Sequence, residues 1–323
     1  MWSKRGSEGG AGKAAEACGA WGLGQVAGVL TLDYLADLAA KHHDDLAVSV
    51  RDFDIAGRAF EFGRRRAIMG VVNLSADSWY RESVVLTAEA AIRRGQVLAA
   101  QGADLVDVGA ESTLLQAERV EAGVQNSRLI PVVRGLRERG VLVSVETYHP
   151  AVTRACFEAG ASVLNLTGVD PDETMLRVAA EHGAAVILCY VQGRNVREVG
   201  DFDLRADAVG LMYEFFARQV ERAEASGVER IFIDPGLGFY YRNLQDSAVR
   251  VRHQMTVFLN TFRLRRLGWP VCHALPHAFE YFGEEVRTAE SFFAVLAALG
   301  RADLFRTHEV PRVRAVLETL GAF

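Results

Sequence analysis

The chain has 323 residues, of which 50% are hydrophobic and 24% are charged, and its formal net charge is −5. This composition predicts a protein with a full apolar core and excludes the basic footprint of a nucleic-acid or anionic-membrane binder. The four cysteines are widely spaced and form no CxxC pair, which predicts free thiols in a reducing, cytoplasmic compartment. All three lysines lie within the first 41 residues, so Schiff-base chemistry later in the chain is excluded.

The N-terminal part of the sequence divides into a tail and a short extension. Residues 1–30 are rich in glycine and alanine and lack the apolar core of a signal peptide, so we expect a mobile tail. Residues 31–65 are expected to form an extension, with a helix over 31–46 and a β-hairpin over 48–63 that turns near Ala56 and Gly57. The sequence shows no transmembrane segment.

From residue 66 onward, short apolar runs alternate with helical patterns. The runs predict eight strands, at residues 66–73, 103–109, 141–147, 162–166, 184–190, 230–235, 269–275 and 302–307. Eight strand–helix units in tandem indicate an α/β fold, a (β/α)8 TIM barrel over residues 66–323. A doubly wound sheet is the alternative, but the sequence has no GxGxxG turn to favour it.

Polar residues gather at the predicted C-terminal ends of these strands, where barrel enzymes place their chemistry. Asn73, Arg306 and His308 offer donors, a fixed cation and an imidazole, which suit an anionic group such as a phosphate. Two carboxylates and an amide, from Glu146, Asp234 and Asn165, suit a flat heterocycle with adjacent N–H donors.

The motifs at these positions resemble those of a known family. RAIMGVVNLSADSW, DLVDVGAEST, VSVETYHPAVTRACFEAGASVLNLTG, IFIDPGLGF and FRTHEV are similar to the successive signatures of dihydropteroate synthases, and the resemblance spans about residues 66–320. It implies a pterin-binding barrel that joins the methylene of a dihydropterin diphosphate to an amine, p-aminobenzoate, and releases diphosphate with Mg²⁺ present. It also implies a homodimer, and the partners we expect are small molecules, with neither nucleic acid nor membrane.

Carried over position by position, the resemblance assigns roles to particular residues. It implies catalytic roles for Asn73, Asp234, Arg306 and His308, with Asn73 near the Mg²⁺ and with Arg306 and His308 holding the diphosphate. The pterin-binding residues that we expect are Glu146, Asn165, Asp234, His277 and Phe239. The residues expected at the anion and second-substrate subsite are Asp77, Ser78, Ser112, Thr113 and Tyr190.

The sequence also departs from the family pattern. Glu146 stands where the family has Asp, His277 where it has a pterin-contacting Lys, and Tyr190 where it has His. Leu114 replaces an Arg, and residues 75–80 lack the family's proline and glycines. Losing a Lys and an Arg lowers the positive charge available to a diphosphate and to an acidic amine. We therefore expect a divergent member with an altered second substrate or an altered reaction.

Three alternatives remain open from the sequence. A pterin-dependent methyltransferase would keep the barrel and the ring-binding acids but would need no diphosphate subsite. A non-catalytic pterin-binding relative would explain Glu146 and His277 as decay of the active site. A metal hydrolase would use His273, His277 and Glu146 as its metal ligands.

Overall fold

The computed structural model describes residues 30–75, 84–85, 87–112, 119–170, 172–193, 207–238, 244 and 246–322. The predicted tail and the predicted site residues Asp77, Ser78, Thr113 and Phe239 therefore lie outside the described residues. Internal contacts divide the chain into two units, Met1–His43 and Asp44–Phe323. Among the described residues, no helix has both the length and the apolar character needed to cross a membrane.

The first unit contains the predicted N-terminal helix. Helix α1 spans Leu32–Lys41, and the side chain of Thr31 caps it by accepting a hydrogen bond of 3.2 Å from the backbone N–H of Tyr34. Asp33 in the first turn and Lys41 in the last complement the helix dipole. A further turn of helix, α2, spans His43–Leu46.

The predicted β-hairpin is confirmed at the start of the second unit. Strands β1 (Phe53–Ile55) and β2 (Arg58–Phe60) pair antiparallel around a two-residue turn at Ala56 and Gly57. Both turn residues have positive φ, 49° and 82°, as a type I′ turn requires. The Asp54 carboxylate accepts a 2.8 Å hydrogen bond from the Gly57 N–H and so closes the turn.

Eight parallel strands follow, each within one of the predicted runs. They are β3 (Ala67–Asn73), β4 (Leu105–Gly109), β5 (Val143–Thr147), β6 (Val163–Leu166), β7 (Ala185–Cys189), β8 (Ile231–Asp234), β9 (Cys272–Ala274) and β10 (Leu304–Thr307). Their order in the sheet is β8-β7-β6-β5-β4-β3-β10-β9. A parallel bridge between Ile233 and Val271 joins the two ends of this order, so the sheet closes into the predicted barrel.

Helices follow the strands around the outside of the sheet. They are α3 (Ala88–Ala100), α4 (Ala122–Arg137), α5 (Pro150–Ala159), α6 (Thr174–Glu181), α7 (Ala208–Ala225), α8 (Ser247–Asn260), α9 (Phe279–Phe282), α10 (Ala289–Leu299) and α11 (Val310–Gly321). Thr87 caps α3 and Pro150 begins α5, as their sequences predict.

Two segments between the later strands differ from the sequence prediction. The segment between β8 and β9 contains α8 followed by a 3₁₀ helix, Thr261–Leu267, where the sequence pattern over residues 243–267 predicts one helix. The short helix α9 and the 3₁₀ helix Gly283–Thr288 precede α10 and were not predicted. Elements of one or two turns are too short to show a helical period in the sequence.

The hairpin closes the N-terminal end of the barrel. The rings of Phe53 and Phe62 pack edge-to-face on Phe232 of β8, with centroid distances of 5.1 and 5.7 Å. Ile55 and Phe60 join the same buried cluster as Met69, at the floor of the barrel. Apolar side chains fill this end of the barrel interior. The polar side chains that point into the barrel therefore lie toward the other end.

Helix α10 packs against α8 through a close approach of the two backbones. A Cβ atom built on Gly300, just after α10, would lie 1.8 Å from the carbonyl oxygen of Phe258 in α8. The position therefore requires glycine for space, although its φ of −77° is an ordinary one.

We expect the Gly300→Ala substitution to lower the free energy of unfolding by about 1–3 kcal/mol, because the new methyl group forces α8 and α10 apart. Gly123→Ala is the matched control, since Gly123 lies in α4 and a Cβ there meets nothing within 4 Å. That control is expected to be neutral or stabilising by up to about 1 kcal/mol. Chemical denaturation measures both, and equal effects would contradict the packing argument.

Candidate active site

A pocket with a cavity volume of about 120 Å³ lies at the C-terminal ends of the barrel strands. It brings together most of the described site residues that the sequence predicts: Asn73, Ser112, Glu146, Asn165, Asp234, His277, Arg306 and His308. These residues lie close together because the parallel strands of a barrel all end on one rim. The predicted clustering of these residues is therefore confirmed.

A partly buried guanidinium lies at the centre of this pocket. The Nε of Arg306, on β10, donates a 2.8 Å hydrogen bond to Asp107 of β4, and its Nη2 donates one of 2.5 Å to Glu146 of β5. Burial alone would lower the pKa of Arg306, but Glu146 and Asp107 outweigh it and raise the pKa, so the guanidinium stays protonated. It is held rigid by two acids from two neighbouring strands.

Asp107 is the main residue of the site that the sequence reading did not single out. Its side chain is fully buried and also accepts hydrogen bonds from Ser144 Oγ (2.6 Å) and from Asn165 Nδ2 (3.0 Å). A signal was present, since an aspartate within the apolar run LVDVG is costly to bury unless it is paired. Asp107 fixes the orientation of Arg306 and of the Asn165 amide at once.

The carboxyl groups of this pocket outnumber its central cation. Burial raises the pKa of Glu146 to about 7; the Arg306 guanidinium opposes this shift, and the Asp107 and Asp234 carboxylates reinforce it. Burial likewise raises the pKa of Asp234 to about 6, although the Gly236 N–H donates to its Oδ1 at 2.8 Å. Near neutral pH the carboxyl groups of the pocket can therefore gain or lose a proton. Their oxygens can accept hydrogen bonds from a ligand edge rich in N–H donors.

Two predicted residues do not reach the pocket, and the alternation of side chains along a strand explains both. At the end of β7 it is Cys189 that lines the pocket, so the next residue, Tyr190, points outward. The Tyr190 ring packs edge-on against Phe215 of α7, 4.9 Å away, and its hydroxyl accepts a 2.7 Å hydrogen bond from Gln192. Tyr190 is therefore not among the residues that line this pocket.

The metal set His273, His277 and Glu146 is not assembled either. His273 lies on the outward face of β9, is fully buried, and is hydrogen bonded through Nε2 to the hydroxyl of Thr261 at 2.7 Å. Its ring packs on Phe258, and burial lowers its pKa to about 3. The structure thus contradicts this set of ligands, because His273 faces the helices and not the pocket.

His277 and His308 meet instead at a buried carboxylate. Glu290, in the first turn of α10, has its Oε1 2.9 Å from His308 Nδ1 and 3.1 Å from His277 Nε2. Burial alone would raise the pKa of Glu290, but the hydrogen bonds with the two histidines hold it well below its ordinary value. Burial also lowers the pKa of His308, and the Glu290 carboxylate opposes that shift.

Two further charged side chains line the pocket, Arg250 and Glu111, and the sequence did not assign a role to either. Arg250 of α8 lines the pocket, is almost fully buried, and donates to the Leu244 carbonyl at 3.0 Å and to Glu280 at 2.5 Å. Across the pocket mouth, Glu111 accepts from Gln125 at 2.8 Å and from the Tyr148 hydroxyl at 3.0 Å, beside Ser112.

The barrel, with acids and an arginine at the C-terminal rim, defines a class of enzyme that recognises a polar heterocycle together with an anion. Residues 69–308 match the family described as pterin binding enzyme, and the chain belongs to that family. Within this family, the chain is similar to dihydropteroate synthases, and it is a dihydropteroate synthase-like transferase.

Three similar proteins illustrate the range of this relationship. The dihydropteroate synthase of Synechocystis sp. is 29% identical over 81% of this chain and 92% of its own length. The inactive dihydropteroate synthase 2 of Mycobacterium tuberculosis is 32% identical over 80% of this chain and 83% of its own. The structure of Xanthomonas albilineans dihydropteroate synthase with 4-aminobenzoic acid has a TM-score of 0.72 and 30% identity, covering 85% of this chain and 98% of that one.

The raised pKa of Glu146 predicts how the free energy of unfolding changes with pH. Its folded value of about 7 exceeds the ordinary value of 4.5, so folding takes up a proton between those two pH values. Over this range the Glu146 contribution to the free energy of unfolding therefore falls as pH rises. We expect the unfolding free energy of Glu146→Gln, minus that of the native protein, to increase from pH 4.5 to pH 7.

Denaturant titrations at several pH values measure this difference. Asp234→Asn serves as a second case, with the same sign over the narrower range from 3.8 to about 6. A difference for Glu146→Gln that is flat, or that decreases with pH, would contradict the assignment of a proton to the buried Glu146 carboxyl.

Proposed function

We propose that this protein binds a dihydropterin diphosphate and joins its methylene carbon to the nitrogen of an amine, with release of diphosphate. The observation that carries the proposal is the Arg306 guanidinium fixed between Asp107 and Glu146, next to Asn165 and Asp234. The acids and the amide form an edge that accepts hydrogen bonds from a pterin. Arg306 adds a flat cation that suits stacking on a ring and attraction of an anion.

In the proposed reaction, the bond between the methylene carbon and the diphosphate oxygen breaks, and the electron pair leaves with the diphosphate. The amine nitrogen then donates its lone pair to the carbon and afterwards loses a proton to solvent. Positive charge develops on the pterin while the diphosphate departs. Asp234, which is buried, would stabilise that charge, while Arg306 and His308, which line the pocket, would receive the leaving anion.

Mg²⁺ is the metal that the family relationship implies, and Asn73 is the residue that would hold it. Asn73 ends β3 and lines the pocket, and its side-chain amide offers the hard oxygen ligand that Mg²⁺ prefers. Mg²⁺ commonly keeps several waters and binds through few protein ligands together with substrate phosphates, so a single asparagine fits this role. When bound, the ion would supply positive charge to the diphosphate oxygens.

For the second substrate we propose an amine that carries an acidic group. Leu114, which lies outside the described residues, removes the arginine expected beside Thr113. Arg250 offers a buried cation on another wall of the same pocket. A carboxylate that reached Arg250 would form a charge-assisted hydrogen bond, which binds more strongly than a neutral one.

We expect Arg250→Gln to raise KM for p-aminobenzoate about tenfold or more, because the lost hydrogen bond involves two charged groups. Aniline, which lacks the carboxylate, is the matched control substrate, and its KM is expected to stay unchanged. Steady-state kinetics with both amines measure the difference. Equal effects on the two amines would show that Arg250 does not recognise the carboxylate.

Catalytic loss offers the most direct test of the reaction. We expect Asp234→Asn and Arg306→Ala each to lower kcat by about 10²–10³-fold or more, because each removes charge stabilisation in the transition state. Tyr190→Phe is the matched control, since the Tyr190 hydroxyl lies outside the pocket, and its rate is expected to match the native protein. Release of diphosphate in the presence of p-aminobenzoate and Mg²⁺ is the measurement.

Because Arg306→Ala leaves two buried carboxylates without their cation, Arg306→Lys accompanies it as a variant that keeps the charge. Native rates for Asp234→Asn would contradict the mechanism. Native rates for both Arg306 variants would favour the methyltransferase alternative, in which no diphosphate is bound.

A non-catalytic pterin-binding protein is the second candidate, and the similarity to the inactive mycobacterial dihydropteroate synthase 2 favours it. Titration calorimetry with the dihydropterin diphosphate and Mg²⁺ separates the candidates. Tight binding without turnover for any amine supports this second candidate. No measurable heat at millimolar ligand would contradict both.

We further propose a cytoplasmic homodimer, as the family resemblance implies. Cys156, Cys189 and Cys272 are buried free thiols, which supports a reducing compartment. Sedimentation of the full chain tests the dimer.

A further inference from the structure

We propose that His277, Glu290 and His308 form a binding site for a divalent transition-metal ion, with Zn²⁺ or Fe²⁺ as the class of ion that fits. Each of the three side chains offers one ligand atom, and these atoms all lie within 4.8 Å of one another. The site shares His308 with the proposed diphosphate subsite and His277 with the expected pterin subsite, but binding of an ion does not require the transferase reaction.

The distances between these atoms suit a shared ion. Glu290 Oε1 lies 2.9 Å from the His308 nitrogen and 3.1 Å from the His277 nitrogen. Two ligands bound at about 2.0–2.1 Å to one ion, with an angle between 90° and the tetrahedral value, lie about 2.8–3.4 Å apart. Both distances from Glu290 Oε1 fall within this range.

A set of surrounding groups already orients the carboxylate. The other oxygen of Glu290, Oε2, accepts hydrogen bonds from the Thr307 hydroxyl and from the Glu309 N–H at 3.2 Å. The His308 N–H also contacts the carboxylate, at 3.1 Å. Oε1 is thereby turned toward the two imidazoles. Such outer hydrogen bonds are the usual support of a metal-binding carboxylate.

The three residues are arranged so that a bound ion could also coordinate a molecule in the pocket. Glu290 is fully buried, whereas His277 and His308 are partly exposed and line the pocket. An ion held by them would thus have its protein ligands on one side and open coordination positions on the side of the pocket. Two histidines and one carboxylate in such an arrangement are typical of Fe²⁺ and Zn²⁺ sites, while Mg²⁺ prefers oxygen ligands alone.

The test is Zn²⁺ binding to the full chain, purified without a metal-binding tag and stripped with chelator. Titration calorimetry with Zn²⁺ and metal analysis after dialysis are expected to give one tightly bound ion per chain. Mg²⁺ in excess is not expected to displace it. Visible absorption after Co²⁺ addition provides a second readout, because the intensity of the bands reports the coordination geometry, and neither measurement requires enzyme activity.

Variants assign the binding to these residues. We expect His277→Ala and Glu290→Gln each to weaken Zn²⁺ binding by about tenfold or more, and to abolish the Co²⁺ bands. His149→Ala, a histidine near Glu111 at the start of α5, is the matched control and is expected to leave binding unchanged. The double variant His42→Ala and His43→Ala removes the adjacent histidines of the N-terminal helices and is also expected to have no effect.

Circular dichroism establishes whether each variant folds. If Glu290→Gln does not fold, His277→Ala still tests the proposal, because His277 lies at a partly exposed position. The proposal is overturned if the native chain binds no Zn²⁺, or if folded His277→Ala binds it as tightly as the native chain. Loss of binding only in the His42 and His43 double variant would assign the ion to the N-terminal helices and would overturn the proposal as well.

Discussion

The ion cluster of Arg306 with Asp107 and Glu146 is the interaction on which the pocket depends. Charges removed from water are costly, and they persist in a protein interior when each has a partner of opposite sign and further hydrogen bonds. Asp107 has no exposed surface, and it meets both conditions through Arg306, Ser144 and Asn165. Strands β4, β5, β6 and β10 are tied together through these side chains as well as through their backbones. The price of losing one member is high, since breaking a buried pair typically costs about 3–5 kcal/mol.

The same cluster explains how a divergent sequence keeps a common site. Glu146 is one methylene longer than the aspartate of the family motif, yet it still reaches the Arg306 guanidinium at 2.5 Å. At the position where the family has a lysine, His277 lies against Glu290, with its Nε2 3.1 Å from Glu290 Oε1. The departures Glu146 and His277 both fall at positions where the resemblance implies pterin contact, whereas Leu114 falls beside the expected second-substrate subsite. The differences from the family therefore touch both expected subsites.

The barrel and most of its rim could be predicted from the sequence because both follow from simple periods. Apolar runs fix the strands, and the ends of parallel strands converge on one rim. A strict alternation of side chains along each strand would also have selected Asp107 for the interior and would have turned Tyr190 and His273 outward. Glu290 and Arg250 could not be found in this way, because both come from helices. A helical period indicates that such a residue faces the barrel, but it does not indicate which pocket the side chain reaches.

The aromatic hairpin under the barrel has a consequence for the order of events in the pocket. Phe53, Phe60 and Phe62 fill the N-terminal end, so the described part of the barrel is a cup whose ligands enter and leave through the rim. A molecule held at the depth of Asp107 and Asp234 must arrive before one that binds nearer the mouth. It must also leave after the shallower one, or joined to it. The closed floor of the cup therefore favours ordered binding of any two ligands that occupy different depths.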